Sequence, residues 1–246
     1  MNTTSTQQSP KIVSIHLIKN EDIYIKDSIN NVIDYVDEVI VLDNKSTDKT
    51  KDIILNTYKN QIETGKLKYV VVDNPCDTNK YLEEFIATNT WIIGVDGDEI
   101  YSYTMMDKIC KNIKDNIFKD IYRLDADVLN VTATMKLVGN VIEYIGYKSP
   151  PSKGMIKIYN FNHVKSISPG ERLHGKYETT CNKIYHFMPG TTAMMHMCFM
   201  KRSSVENMEV RPAPEGHGGV QYKMQAYRKG DIVREIDGAR QFIAST

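Results

Sequence analysis

Trp91-Ile92-Ile93-Gly94-Val95-Asp96-Gly97-Asp98-Glu99 runs an apolar, β-branched stretch straight into three carboxylates with a glycine among them. The first five residues have the length and composition of a buried strand. Carboxylates gathered at the end of such a strand suit a hard divalent cation, Mg²⁺ or Mn²⁺. These ions prefer oxygen ligands and complete their shells with water and substrate phosphates. Gly97 allows a ligand or a neighbouring chain segment to approach the backbone closely. An acidic turn can also be only a turn, so the flanking sequence decides what this one is for.

Upstream, residues 12–18, 38–42 and 67–72 read as further strands, each followed by polar or charged residues. Between the first two, Ile25, Ile29, Val32, Ile33 and Val36 recur at helical spacing, and Ser46-Thr47 offers an N-cap for a helix after the second. Strands alternating with helices predict an α/β fold with a Rossmann-like, mostly parallel central sheet flanked by helices. Downstream, Met105, Met106, Ile109, Cys110, Ile113 and Ile117 form one apolar helix face, residues 120–129 read as a strand, and 155–159 and 192–199 as two more. The expected organisation is a disordered segment 1–10, a single catalytic domain 11–204 and an irregular C-terminal lid or extension 205–246. Within the domain, 11–100 and 101–204 form two halves.

The composition is that of a globular protein, with 41% hydrophobic and 25% charged residues in 246. Lys+Arg and Asp+Glu number 31 each, so no global charge favours nucleic acid as a partner. Cys76, Cys110, Cys181 and Cys198 are scattered, without zinc-site or disulfide-framework spacing, and read as reduced thiols. No apolar run approaches membrane-spanning length, and the first ten residues lack the form of a signal peptide.

In open α/β sheets ligands bind beyond the carboxyl ends of the strands. Here those ends are Lys19-Asn20-Glu21, Asp43-Asn44-Lys45-Ser46-Thr47-Asp48, Asp73-Asn74-Pro75-Cys76-Asp77 and Asp96-Gly97-Asp98-Glu99. All are rich in carboxylates or amides, groups that hydrogen-bond a base and ribose or hold a metal. Neither a P-loop nor a Gly-x-Gly-x-x-Gly turn is present.

Lys19-Asn20-Glu21, the segment from Val36 through Asp43-Asn44-Lys45-Ser46-Thr47-Asp48 to Thr50, and Trp91 through Glu99 resemble, in order and spacing, family 2 glycosyltransferases of the GT-A fold. His196-Met197-Cys198-Phe199-Met200-Lys201-Arg202-Ser203 is similar to a segment after the last core strand of many such enzymes. The resemblance implies a hexosyltransferase-type enzyme: inverting transfer of a sugar from a nucleoside diphosphate sugar, a UDP-sugar by preference, to a hydroxyl of a glycan or polysaccharide. The setting it implies is cytoplasmic or membrane-peripheral. It also implies a Mn²⁺ or Mg²⁺ cofactor held by Asp96, Asp98 and His196. Asp98 would be the direct ligand and Asp96 the ribose-side partner. His217, in a glycine-rich stretch, competes with His196 as third ligand.

Asn20, Glu21, Asp43, Asn44, Lys80, Asp96 and Gly97 would line the donor site, Asn44 replacing the second acid of a common Asp-Asp pair. An inverting transfer needs a base at the acceptor hydroxyl. The segment Pro169-Gly170-Glu171-Arg172-Leu173-His174-Gly175 supplies Glu171 first and His174 second, with Asp125, Asp127 or Glu178 as other candidates. Arg172 suits an anionic group or a carboxylate partner. Two other functions compete: a sugar-phosphate nucleotidyltransferase, whose glycine-rich activating loop is missing after Ile18, and a non-catalytic nucleotide-sugar binding module.

Overall fold

A computed structural model of the chain describes residues 8–136, 142–149, 156–169, 173, 176–187, 192–206 and 232–236. Strands β1 (Lys11–Ile18), β2 (Glu38–Asp43), β3 (Leu67–Val71) and β4 (Thr90–Asp96) are parallel, β1 lying between β2 and β4 and β3 outside β2. Helix α1 (Ile25–Ile33) links β1 to β2, and α2 (Thr50–Thr57) and α3 (Lys59–Glu63) link β2 to β3. The inner strands β1, β2 and β4 are mostly apolar because both sheet faces are covered there. Ile12, Val39, Val41, Trp91, Ile93 and Val95 pack with Ile25, Ile29 and Val32 of α1 and with Met105, Met106 and Ile109 of α4 (Tyr103–Lys114). Val13, Ile15, Ile40, Leu42 and Ile92 belong to a second cluster with Leu82, Phe85 and Tyr159.

Beyond β4 the same sheet turns mixed. β9 (Lys157–Asn160) is antiparallel to β4 and to β6 (Arg123–Asp125), and β12 (Ile184–His186) is parallel to β6 at the edge. A second sheet, of five strands, is ordered β14 (Ile232–Ile236), β8 (Ile142–Ser149), β7 (Asp127–Lys136), β13 (Thr192–His196), β5 (Glu99–Tyr101). The short strands β10 (Val164–Ile167) and β11 (Tyr177–Thr179) pair with each other. The result is a mixed α/β fold whose central, parallel-rich sheet is flanked by helices. No helix among the described residues is long and apolar enough to cross a membrane.

Several local features depart from the sequence expectations. The single strand expected over 120–129 is two, β6 and β7, which join different sheets on either side of Ala126. Leu124 packs into the first core and Leu129 into that of the second sheet, a choice that apolar patterning cannot encode. Helix α4 stops at Lys114; Asn116 adopts φ 59°, a left-handed conformation that ends helices, and Ile117 lies beyond it, 65% exposed. Ser46 and Thr47 do not cap α2, which starts at Thr50; the Thr50 N–H is taken by Asp48 Oδ1 at 2.9 Å. The strand expected over 192–199 ends at His196. Within the expected extension 205–246, residues Ile232–Ile236 form a strand paired with β8.

Candidate functional site

The register places Ile18 opposite Asp43 and Leu17 opposite Asp96, so β1, β2 and β4 end level at one sheet edge. The loops that follow are tied to one another. Asn20 sits at φ 55°, its N–H donating to Ser46 Oγ at 2.9 Å and its Oδ1 accepting from the Thr47 N–H at 2.7 Å. Asparagine tolerates this left-handed backbone because its short amide side chain can bond locally. The Glu21 N–H donates to Thr50 Oγ1 at 2.8 Å. Asp43 is buried and spends its carboxylate on the Ser46 N–H (2.8 Å) and hydroxyl (2.7 Å) and on the Tyr69 hydroxyl. The Asn44 N–H closes onto Ile18 O at 2.9 Å. This polar run after β2 is therefore a rigid turn that shapes the edge.

Around Gly97 stand two clusters, each of two carboxylates and one cation. In the first, Lys157 Nζ lies 2.7 Å from Glu99 Oε1 and 3.1 Å from Asp96 Oδ2, and Glu99 Oε2 accepts the Asp96 N–H at 2.9 Å. Burial works against the Lys157 ammonium, but the Asp96 and Glu99 carboxylates outweigh it and hold its pKa above the ordinary lysine value. Burial likewise pushes the Glu99 carboxyl up, against the pull of Lys157. In the second, Arg202 Nη1 lies 2.7 Å from Asp98 Oδ2 and 3.1 Å from Glu21 Oε1. Burial and the Asp98 charge raise the Glu21 carboxyl well above its usual range, Arg202 opposing them. Gly97 separates the clusters and must be glycine: a Cβ there would lie 2.5 Å from Glu21 Cγ.

His196, at the end of β13, faces the second cluster with Nε2 3.8 Å from Asp98 Oδ1. Its other nitrogen, Nδ1, is 3.1 Å from Asn130 Oδ1. The Asn130 amide donates to Ser149 Oγ at 2.9 Å and to Tyr147 O at 3.3 Å, which turns its oxygen toward His196. An amide oxygen only accepts, so Nδ1 carries a proton and Nε2 is the nitrogen that faces Asp98. Among the described residues no three His, Cys, Asp or Glu side chains form a metal-holding group. The pair Asp98 Oδ1 and His196 Nε2 nevertheless fits an ion such as Mn²⁺. The set combines oxygen with an imidazole oriented by its outer hydrogen bond, and substrate phosphates commonly complete such a shell. Asp96 directs its carboxylate to Lys157.

Of the other expected residues, Lys80 lies in a 3₁₀ turn, 72% exposed and bridged to Asp77 at 2.8 Å. Asp125 is buried beside Arg123 (2.8 Å), Asp127 lies 3.3 Å from Lys148, and Glu178 is exposed beside Ser166. Glu171, Arg172, His174 and His217 lie outside the described residues. Lys157, Arg202 and His16 went unrecognised in the sequence. His16 is fully buried on β1 beside Ser28, its Nδ1 3.5 Å from Ser28 Oγ, and desolvation pushes it down to about 3.

No protein-family model matches the chain. An uncharacterized glycosyltransferase of Rickettsia typhi is 35% identical over 99 residues, which cover 40% of this chain and 32% of the relative. The glycosyltransferase SunS of Bacillus phage SPbeta is 37% identical over 105 residues, 42% of this chain and 24% of that protein. The chain thus spans no more than about a third of the length of these relatives. Among solved structures, glucosyl-3-phosphoglycerate synthase from Mycobacterium tuberculosis in complex with Mn²⁺ and UDP-glucose superposes with a TM-score of 0.35 at 17% identity, over 48% of this chain and 44% of that one. Mannose-6-phosphate isomerase from Helicobacter pylori gives 0.37 at 14%, over 62% and 71%. Both superpositions are too loose to bear on the chemistry.

Proposed function

We propose that this chain is a metal-dependent glycosyltransferase domain of the family 2, GT-A type. It would move a sugar from a nucleoside diphosphate donor, a UDP-sugar by preference, to a glycan hydroxyl with inversion. One observation carries the reading: the loops after β1 and β2 are hydrogen-bonded to each other, and Arg202 bridges Glu21 to Asp98, at the edge where Asp96-Gly97-Asp98 ends a buried parallel strand. The sequence likeness to glycosyltransferases supports it.

In this reading Asp98 and His196 hold the ion. When bound, it supplies Lewis-acid stabilisation of the charge developing on the leaving diphosphate. The chain's own residues do the rest. Asn130 orients the His196 ring, Arg202 holds Asp98 by its other oxygen, and the turn built on Asp43 and Asn20 fixes the wall against which the nucleoside lies. Asp96 joins Asp98 and His196 as a further carboxylate on the ribose side of the ion. Glu171 is assigned the base that takes the acceptor proton, with His174 as its alternate.

The test is a screen of nucleoside diphosphate sugars, with and without Mn²⁺, for thermal stabilisation and donor hydrolysis, run in parallel on Asp98→Asn. A donor at a hundred times its Kd should stabilise the wild type by about 2.7 kcal/mol. Asp98→Asn should lose the Mn²⁺-dependent part, and an equal response from both proteins would sink the assignment of Asp98. Glu171→Gln should bind donor but lose most transfer; full transfer would remove Glu171 from the role of base. Binding without hydrolysis or transfer for any donor would favour a binding module instead.

A further inference from the structure

We propose that Lys157 is a positioning residue for Asp96, and that Gly94 is glycine so that Lys157 can reach it. The proposal rests on the glycosyl-transfer reading for what Asp96 then does. Lys157 stands on β9 opposite Gly94 of β4, and Gly94 and Asp96, two residues apart, share a face of that strand. A Cβ at Gly94 would lie 2.9 Å from Lys157 Cβ and 3.3 Å from Leu173 Cβ. The stem of Lys157 therefore passes directly over the site where a side chain would otherwise stand, running along the strand toward its carboxyl end.

The ammonium emerges 3.1 Å from Asp96 Oδ2 and 2.7 Å from Glu99 Oε1. Glu99 closes the frame by accepting the Asp96 N–H through its other oxygen at 2.9 Å. Asp96 is thus gripped at its carboxylate by Lys157 and at its backbone by Glu99, two side chains that are themselves ion-paired. Burial grades across the three: Lys157 is 0% and Glu99 2% exposed at the side chain, whereas Asp96 keeps 32%. A lysine serving only to neutralise an interior acid would need no more than Glu99. This one contacts a second carboxylate as well, at the rim of the site, and the two inner groups give that carboxylate one orientation. Ligand-orienting partners of this kind tune affinity without touching the ligand.

The probe is UDP, titrated calorimetrically with and without Mn²⁺. Two variants disturb the frame by different routes. Lys157→Met with Glu99→Gln removes one positive and one negative charge together, and Gly94→Ala keeps every charged group while displacing the lysine stem. Both should unfold cooperatively and bind UDP without metal as the wild type does, yet lose roughly 10- to 100-fold of the affinity that Mn²⁺ adds. A purely structural role would not move that difference selectively. If Mn²⁺ adds the full gain in both variants, or both lose metal-free and metal-assisted binding equally, the positioning role is overturned. Should the double variant fail to fold, Gly94→Ala decides; failure of both would assign Lys157 to stability alone and overturn the proposal. A wild type whose UDP binding ignores Mn²⁺ would bring down the glycosyl-transfer reading itself, and the proposal with it.

Discussion

The two cation-and-carboxylate clusters flanking Gly97 have the same formal charge and are built in opposite ways. Asp96 and Lys157 are set by the pairing of β4 with β9, and Glu99 by β5, which pairs with β13 in the second sheet. Asp98, Glu21 and Arg202 meet across loops, Arg202 lying 104 residues from Asp98 in sequence. The segment carrying Arg202 is held by a row of polar contacts: the Arg202 N–H to Glu206 Oε2 at 3.0 Å, Ser203 Oγ to Asp48, and Ser204 to Asp22 through both its N–H and its hydroxyl. Hydrogen bonds borne by loops open at lower free energy than those of strand ladders inside a core. The sheet-borne cluster sets geometry, and the loop-borne one is the half able to rearrange around a ligand.

Replacing each cation by methionine separates the two most sharply. Lys157→Met strands the buried Glu99 carboxylate, which the sheet cannot release to water, and should cost about 3–5 kcal/mol in urea unfolding. Arg202→Met should cost about half as much, because local opening of the 201–206 segment lets Asp98 and Glu21 hydrate before the molecule unfolds. Equal losses would erase the distinction. Gly97→Ala tests the seam between them: a Cβ 2.5 Å from Glu21 Cγ forces that side chain aside, at about 1–3 kcal/mol. Amide exchange at Met197, whose N–H donates to Asp98 O at 2.8 Å, should quicken while exchange along β9 does not. Faster exchange in both would mean that the clusters move as one.

Acid sensitivity should belong to the sheet-borne cluster. Desolvation holds His16 neutral, with Asp96 opposing it and Lys157 adding to it, and its pKa falls to about 3 from an ordinary 6.5. Because the folded value is the lower, the contribution to stability is complete above pH 6.5 and is lost as the pH falls and the unfolded chain takes up the proton. By pH 5 the loss reaches roughly 2 kcal/mol. His16→Leu should flatten the stability profile between pH 6.5 and 5; an unchanged slope would place the sensitivity elsewhere.

The parallel half of the fold was legible because its signals are local. Ile25, Ile29, Val32 and Ile33 mark α1 by their spacing, and the four apolar runs mark β1 to β4 with errors of a residue or two at their ends. The grouping of Asn20, Glu21, Asp96 and Asp98 followed from topology, since parallel strands bring their carboxyl ends to one edge. Lys157 was hidden because a lysine among Ile156, Ile158 and Tyr159 reads as the polar side of an edge strand, and only the pairing of β9 with both β4 and β6 makes it central. Arg202 was hidden by distance along the chain. Asp43 illustrates the reverse: its place in the motif was clear, but its partners are the turn residues Ser46 and Tyr69 of the next strand, which pattern alone does not assign.

The pairing of Ile232–Ile236 with β8 has a consequence for how the chain can be shortened. β8 has eight residues, and its side away from β7 is occupied by this late strand, residue by residue from Glu143 to Tyr147. A chain ended before residue 232 would leave that ladder of N–H and C=O groups open, a template for any extended segment, including the same strand of a second copy. Truncation there moves the open edge of the sheet from a five-residue strand to an eight-residue one, and a longer edge is the more adhesive.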